Sequence, residues 1–359
     1  MESRTQSVGN PKQSCLGSTQ TISWASTYYL PAVLAAPMAA SIGVSSVQVF
    51  AAFSLSLVVS ALVGPLAGSW IDRVGGRRVL IVSNLVLASG LLTLAASTSA
   101  PMMVLGWAII GVGMGMGLYD AAFTTLAAIY GRDARGPLTG VTLIAGFAST
   151  LGWPLSSFIL AGWGWREACL GWAILQVGVA LPLNVLLPAW RAPIASAAPL
   201  AKVAPSMSRA KTGLLAFVFA ATWFNSTAMA AHLPALLQAA GASSAIAILA
   251  GALIGPAQVA ARLLDFGLMR RIHPVVSARF AASAHPLGAL ALVVAGSPAA
   301  VPFAILHGAG NGMMTIAQGT LPLILFGPVG YGLRLGWLNA PARILQAAEP
   351  LIFGAALTV

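Results

Sequence analysis

Long stretches without ionisable residues alternate with short basic segments along the chain. No Asp, Glu, Lys or Arg occurs between Lys12 and Asp72, and that gap can hold two membrane spans of about 20 residues each. Similar gaps follow, and together they predict eleven transmembrane helices, six before a polar Pro/Ser/Ala linker and five after it. Because no sustained period-2 alternation occurs, we expect an all-α polytopic membrane protein rather than a membrane barrel.

These gaps divide the chain into four expected parts. Residues 1–20 form a polar, cytoplasmic N-terminal tail, and residues 21–190 form a first bundle of six helices. Residues 191–212 form a cytoplasmic linker, and residues 213–359 form a second bundle of five helices in which the counterpart of the sixth is missing.

Composition supports a membrane location. The chain is 58% hydrophobic and only 7% charged, against about 25% charged residues in ordinary soluble domains. This balance excludes a cytosolic enzyme, a secreted disulfide scaffold and a disordered protein. The net charge of +11 does not indicate a nucleic-acid partner, because the Lys and Arg residues form short clusters between the apolar stretches. Fifteen of the 18 lie in the tail or after even-numbered spans. The positive-inside rule therefore predicts a multi-pass protein of the cell (inner) membrane with a cytoplasmic N-terminus.

The two halves of the sequence resemble each other at a nearly constant offset. Val63-Gly64-Pro65 matches Ile254-Gly255-Pro256, and the glycine run Gly113–Gly117 matches Gly308–Gly312. Small residues also suit close helix packing in lipid, so one match alone means little. Several matches in the same order predict two pseudo-equivalent bundles around a central path.

A signature closes the second predicted span. Residues 68–78 read G-S-W-I-D-R-V-G-G-R-R, which resembles the G-x-x-x-D-R-x-G-R-R motif of the major facilitator superfamily, with Gly76 where that family usually has a basic residue. The resemblance covers essentially the whole chain. It implies a two-bundle fold of six plus five helices that works by alternating access. It also implies that the motif gates the cytoplasmic side, with positive-inside anchoring as the alternative, through Asp72, Arg73, Gly75 and Arg77.

Two arginines lie within predicted spans, where ionisable residues are functional candidates. Arg262 lies about 12 Å and Arg343 about 13–14 Å along the helix from the nearest basic loop residues, at 1.5 Å per residue. Guanidinium groups offer fixed, bidentate donors to a carboxylate. The arrangement is similar to monocarboxylate transporters and oxalate/formate exchangers, although Gln258 replaces the Asp of their D-x-x-A-R pattern. The resemblance implies substrate binding by both arginines. The alternative for Arg262 is an ion pair with Asp265, three residues on.

Two acids and three polar residues complete the predicted site. Asp120 and Glu349 are candidates for proton coupling, because a carboxyl group removed from water takes up a proton more readily. Tyr28, Tyr29 and Asn311 are candidates for substrate binding. Asp120 and the three polar residues each have a structural alternative, as a helix-packing or interhelical hydrogen-bonding residue.

The sequence therefore predicts a secondary active transporter that moves a small organic anion, a mono- or dicarboxylate, by proton coupling or exchange. The alternatives are proton-driven efflux of a lipophilic compound and a non-transporting membrane scaffold or sensor. No P-loop, catalytic triad or metal cluster is present in the sequence, so no cofactor, metal or enzymatic activity is expected. The expected partners are a small-molecule substrate, the lipid bilayer, and protons or a counter-substrate, with a monomeric chain and no nucleic acid.

Overall fold

The protein is built of helices, and the computed structural model describes residues 11–188, 209–267 and 272–357. The first half contains α1 (Pro11–Ala25), α2 (Pro31–Ile42), α3 (Ser46–Val74), α4 (Gly76–Ala95), α5 (Ala100–Gly117), α6 (Tyr119–Tyr130), α7 (Arg135–Ala145), α8 (Ala148–Gly162), α9 (Trp165–Leu175) and α10 (Leu181–Val185). The second half contains α11 (Arg209–Ala239), α12 (Ser244–Gly267), α13 (Pro274–Ala295), α14 (Ala300–Phe326) and α15 (Tyr331–Leu357).

Eight helical segments within these ranges are long and apolar enough to cross a membrane, counting α5–α6, α7–α8 and α9–α10 as one segment each. No strand occurs in the described ranges. The predicted class, an all-helical polytopic membrane protein, is confirmed, whereas the count of eleven spans stays a prediction. α14 and α15 are each 27 residues long, but polar residues such as Gln318 and Asn339 interrupt their apolar runs.

The first helix begins at Pro11, ten residues before the expected start of the first span at residue 21. Most of its polar residues are buried, namely Gln13, Thr19, Gln20, Thr21 and Ser23. The Gln20 amide donates to the carbonyl oxygen of Gly117 at 2.7 Å, and the Thr21 hydroxyl donates to that of Ile144 at 3.2 Å. Residues 1–10 of the expected tail, and residues 191–208 of the expected linker, lie outside the described ranges.

Glycine allows the same close helix contact in both halves. A side chain on Gly111 of α5 would come within 2.5 Å of the Ser56 carbonyl oxygen on α3. Likewise, a side chain on Gly312 of α14 would come within 2.5 Å of the Gln258 carbonyl oxygen on α12. Glycines in both halves therefore let neighbouring helices approach backbone to backbone, as small residues do in lipid.

The two halves meet at one end of the helices, here called the basic end because it carries Arg73, Arg77 and Arg135. There α3 of the first half packs on α15 of the second. A methyl group on Gly68 would overlap the carbonyl group of Gly332. The halves are thus closed against each other at the end that the positive-inside rule predicts to be cytoplasmic.

Arg166 is the basic residue that departs from the loop-charge pattern. Its guanidinium donates to the Ser41 hydroxyl at 2.8 Å and to the Ser97 carbonyl oxygen at 2.9 Å. It therefore joins the end of α2, the segment after α4 and the start of α9, which gives this charge a structural role away from the basic end.

Candidate substrate site and gate

Two interrupted helices place polar groups in the middle of the first half. α1 ends at Ala25 and α2 begins at Pro31, so Tyr28 and Tyr29 lie in the break between them. α5 ends at Gly117, and α6 restarts at Tyr119 with Asp120 in its first turn. Broken helices leave backbone groups without helical partners, so within a membrane such breaks occur where protein or a cavity satisfies them.

Asp120 forms an ion pair that crosses between the two halves. Its Oδ2 lies 2.9 Å from Arg343 Nη2 on α15, and its Oδ1 accepts a hydrogen bond from Asn339 Nδ2 at 2.8 Å. The two charged side chains are 15% and 10% exposed. Within the described ranges, Nε of Arg343 and Oδ1 of Asn339 make no hydrogen bond. The guanidinium therefore keeps one buried donor that none of the described residues satisfies.

A second set of polar contacts surrounds Tyr28. Its hydroxyl lies 3.3 Å from the Thr227 hydroxyl of α11, and Gln346 Nε2 donates to both, at 3.4 and 3.2 Å. Glu349, three residues further along α15, is 0% exposed. Residues three apart are neighbours on a helix surface, so Gln346 lies next to Arg343 on one side and next to Glu349 on the other.

Aromatic rings line the same region. Trp24 stacks on Trp223 across the two halves, with ring centroids 6.3 Å apart and planes 5° from parallel. Its ring also contacts Tyr28 at 5.3 Å, Tyr29 at 6.4 Å and Tyr119 at 4.9 Å. The two tyrosines at the break were predicted from the sequence, whereas Trp24 and Trp223 were not. Their position near the middle of apolar stretches is the signal that could have found them.

Arg262 is buried at 5% exposure but does not pair with Asp265. Its Nη1 donates to the Thr142 carbonyl oxygen of α7 at 3.1 Å, and its Nε donates to the Gly312 carbonyl oxygen of α14 at 3.4 Å. The expected alternative, an Arg262–Asp265 pair on one helix, is wrong, because the guanidinium points across to α7 and α14.

Asn311 lies on α14 and joins the second half internally. Its Nδ2 donates to the Ser226 hydroxyl of α11 at 2.5 Å. Ser226 precedes Thr227, which contacts Tyr28, so Asn311 supports the α11 segment that borders the polar centre.

Asp72 joins the halves at the basic end. Its Oδ1 accepts from the backbone N–H of Gly332 at 3.2 Å, and its Oδ2 accepts from that of Leu333 at 3.1 Å. Both amides lie in the first turn of α15, where the helix dipole favours an anion. Gly75, with φ of 84°, ends α3 in a conformation that suits glycine.

The other two motif residues lie at the same end. Arg73 is exposed and Arg77 half-buried, and neither makes a hydrogen bond or ion pair with the residues that the structure describes.

A corresponding contact involves Asp265, at the end of α12. Its Oδ1 lies 3.4 Å from Arg135 Nη2 at the start of α7, and Arg135 Nη1 also donates to the Ile272 carbonyl oxygen at 2.8 Å. Each half therefore ends a helix with an acid that contacts the first turn of a helix in the other half. This second contact was not predicted, although Asp265 follows Asp72 at close to the spacing of the internal repeat.

Comparisons with known proteins agree with this architecture. The sequence model of the Major Facilitator Superfamily matches residues 16–344. A curated relative, the multidrug resistance protein fnx1 of Schizosaccharomyces pombe, is 30% identical over 136 residues, which are 38% of this chain and 24% of that protein. The chain thus spans about a quarter of this relative's length.

Two solved structures share the fold over nearly the whole chain. The human organic anion transporter MFSD10 has a TM-score of 0.69 at 19% identity, with 95% of this chain and 92% of that chain covered. The Escherichia coli fucose:proton symporter FucP has a TM-score of 0.71 at 15% identity, with 96% and 92% covered. At these identities, the likeness concerns the fold.

Proposed function

Because the chain belongs to the Major Facilitator Superfamily, a family of multi-pass membrane transporters rather than enzymes, we propose that it moves a small organic anion together with protons. The substrate class is a mono- or dicarboxylate, and the membrane is the cytoplasmic one. The ion pair between Asp120 and Arg343 supports this proposal most directly, because it joins the two halves at a helix break.

The Asp120–Arg343 pair offers a way to couple anion binding to proton binding. While Asp120 is ionised, it neutralises Arg343. A proton on Asp120 cancels that attraction, and the guanidinium then offers its donors to a substrate carboxylate. A buried charge without a partner is costly, so release of the carboxylate favours return of Asp120 to its ionised form. Proton binding and anion binding therefore favour each other, as linkage requires.

The surrounding residues suit the part of the substrate beyond its carboxylate. Tyr28 and Gln346 offer hydrogen bonds next to the arginine, and Trp24 with Trp223 provides an apolar wall. Glu349 lies one turn further along α15, where we propose that it receives the proton in a later step.

Alternating access completes the mechanism. The Asp72 contact and the Asp265 contact hold the basic end closed, and we propose that both break when that end opens to the cytoplasm.

Uptake into proteoliposomes tests the proposal. Labelled mono- and dicarboxylates are offered with an imposed pH gradient to wild type, Asp120→Asn and Arg343→Ala. We expect Asp120→Asn to lose gradient-driven uptake but to keep exchange between equal substrate pools. We expect Arg343→Ala to lose both. Asp133→Asn, an exposed acid just beyond α6, is the matched control and should behave as wild type. Wild-type gradient-driven uptake by Asp120→Asn would contradict the coupling role.

One observation favours a second candidate. The stacked tryptophans and neighbouring tyrosines suit a lipophilic compound, and fnx1 is named as a multidrug resistance protein. Efflux of a labelled lipophilic amine from the same vesicles, without carboxylate flux, would favour this candidate. Flux of neither, in correctly inserted protein, would favour a scaffold or sensor.

A further inference from the structure

Arg262 is a buried cation whose hydrogen-bond partners are backbone carbonyl groups. It lies in the last two turns of α12 and is 5% exposed. No acid among the described residues forms an ion pair with it. A cation within a membrane is costly unless partners offset its charge, and such residues are functional candidates. The role of Arg262 therefore depends on what its two carbonyl partners belong to.

The guanidinium is held by its own half and reaches into the other. Its Nε donates to the Gly312 carbonyl oxygen of α14 at 3.4 Å, and α14 packs on α12 within the second half. Its Nη1 donates to the Thr142 carbonyl oxygen of α7, in the first half, at 3.1 Å. A guanidinium group is planar and rigid, so the bond to Gly312 helps to fix the direction of Nη1. Arg262 thus bridges the two halves from an anchored position.

A helix break in the first half makes room for this group. α7 ends at Ala145 and α8 begins at Ala148, with Gly146 between them. A methyl group on Gly146 would overlap Nη1 of Arg262. The space beside Gly146 and the Thr142 carbonyl group, here called the notch, is thus filled by the guanidinium. The C-terminal end of a helix carries a partial negative charge, so the end of α7 attracts the cation.

The notch lies deeper than the other contact between the same two helices. Asp265 contacts Arg135 in the first turn of α7. Thr142 is seven residues further along α7, which is about 10 Å at 1.5 Å per residue. Arg262 precedes Asp265 by three residues, so the two are neighbours on the surface of α12. The end of α12 therefore meets α7 at two depths, and Arg262 forms the inner contact.

The related crossing of the halves is closed by a different kind of contact. The internal repeat relates α12 to α3 and α7 to α15. Where α3 crosses α15, a methyl group on Gly68 would overlap the Gly332 carbonyl group, and one on Gly336 would come within 2.5 Å of Pro65 Cα. α15 continues through this contact without a break. Backbone packing closes that crossing, whereas the crossing of α12 with α7 contains a cation at a helix break.

We propose that Arg262 is a positioning residue that locks the basic end closed and does not bind the substrate. With that end closed, the guanidinium fills the notch and holds α12 against α7. When that end opens, water reaches the guanidinium and replaces its carbonyl partners, so neither state leaves the charge without hydrogen bonds. The lock acts in the absence of substrate, so it is independent of the substrate class that the protein carries.

Thiol accessibility in the full chain tests the lock. Thr139 is 1% exposed and lies on the side of α7 that carries Arg135 and Thr142. In a background without the native cysteines, the reporter Thr139→Cys is treated with a soluble maleimide in nanodiscs that contain no substrate. Arg262→Met should raise the labelling rate about tenfold, the effect of one lost hydrogen bond to a charged donor. Arg209→Met, which removes an exposed cation at the start of α11, should leave the rate unchanged.

A second variant fills the notch while Arg262 stays in place. Gly146→Ala should raise the labelling rate by a similar factor. It should have no further effect in the Arg262→Met background, because both changes remove the same contact. Gly255→Ala on α12 is the matched control, since a methyl group there would meet no atom within 4 Å, and it should have no effect in either background.

Three results would overturn the proposal. A wild-type labelling rate in folded Arg262→Met would show that no lock exists, as would be expected if Arg262 only bound substrate. A lower melting temperature without faster labelling would give Arg262 a purely structural role. Effects of Gly146→Ala and Arg262→Met that multiply in the double variant would show that Gly146 shapes the helix break without reference to the guanidinium.

Discussion

Replacement of Asp72 by Asn tests how the basic end is held closed. The carboxylate accepts hydrogen bonds from the N–H groups of Gly332 and Leu333, at 3.2 and 3.1 Å. The amide of Asn offers only one oxygen, turns an NH₂ group towards the second N–H, and carries no charge for the helix dipole to attract. A hydrogen bond to a charged group contributes about 1.5–3 kcal/mol. We therefore expect the equilibrium to move roughly ten- to a hundredfold towards states with the basic end open, since about 1.4 kcal/mol corresponds to a factor of ten.

Thiol accessibility measures this shift. Thr124 is 1% exposed and lies behind the contact, against Gly332. In a background with Cys15 and Cys169 replaced by Ser, the reporter Thr124→Cys is treated with a membrane-impermeant maleimide from the basic side. Asp72→Asn should raise the labelling rate at least tenfold, whereas Arg78→Gln, exposed in the first turn of α4 at the same end, should leave it unchanged. A rate that stays at the wild-type value in Asp72→Asn would refute the reasoning.

Three further substitutions test other contacts. Gly68→Ala adds a methyl group against the Gly332 carbonyl group of α15, so it should hold the basic end open and abolish transport. In Gly64→Ala the methyl group would meet no atom within 4 Å, so this control should preserve transport. Asp265→Asn removes a partly exposed ion pair with Arg135 of α7, and such a pair contributes about 0.2–1 kcal/mol. The variant should therefore raise the maleimide labelling rate of Thr124→Cys by no more than about fivefold. Gln176→Leu removes the acceptor of the buried Asn84 Nδ2 and one hydrogen bond to the buried Ser26 hydroxyl, and should destabilise the protein by about 1–3 kcal/mol in thermal unfolding. The exposed Val177→Leu should have little effect. An unchanged melting temperature in Gln176→Leu would contradict the role of that amide in the first half.

The fold class and the family could be predicted because their signals are local. Apolar stretches between charges indicate membrane helices, and residues 68–78 carry a motif at a fixed place after the second span. The start of α1 was not predictable in this way. Residues 11–20 are polar, and a hydropathy profile assigns polar residues to water. In the structure Gln20 is 1% exposed, and its amide donates to the Gly117 carbonyl oxygen of another helix.

The partners of the charged residues depend on how the halves approach each other. A spacing of three residues suggested that Arg262 pairs with Asp265, but the observed partner of Asp265 is Arg135, which is remote in sequence. The Asp120–Arg343 pair also joins residues from different halves, so neither sequence neighbourhood specifies it. Some local signals did exist. Pro31 suits the first turn of a helix, where a backbone N–H has no helical partner, and it directly follows the break that carries Tyr28.

The contact between Asp72 and α15 is specified by a side chain on one partner only. The receiving groups are backbone N–H groups, which every residue except proline supplies. Leu333 can therefore change its side chain without loss of the bond, so mutational tolerance at the two sides of the contact is unequal. Asp72 must keep its carboxylate, Gly332 must stay small because α3 and Thr124 lie against it, and position 333 excludes chiefly proline.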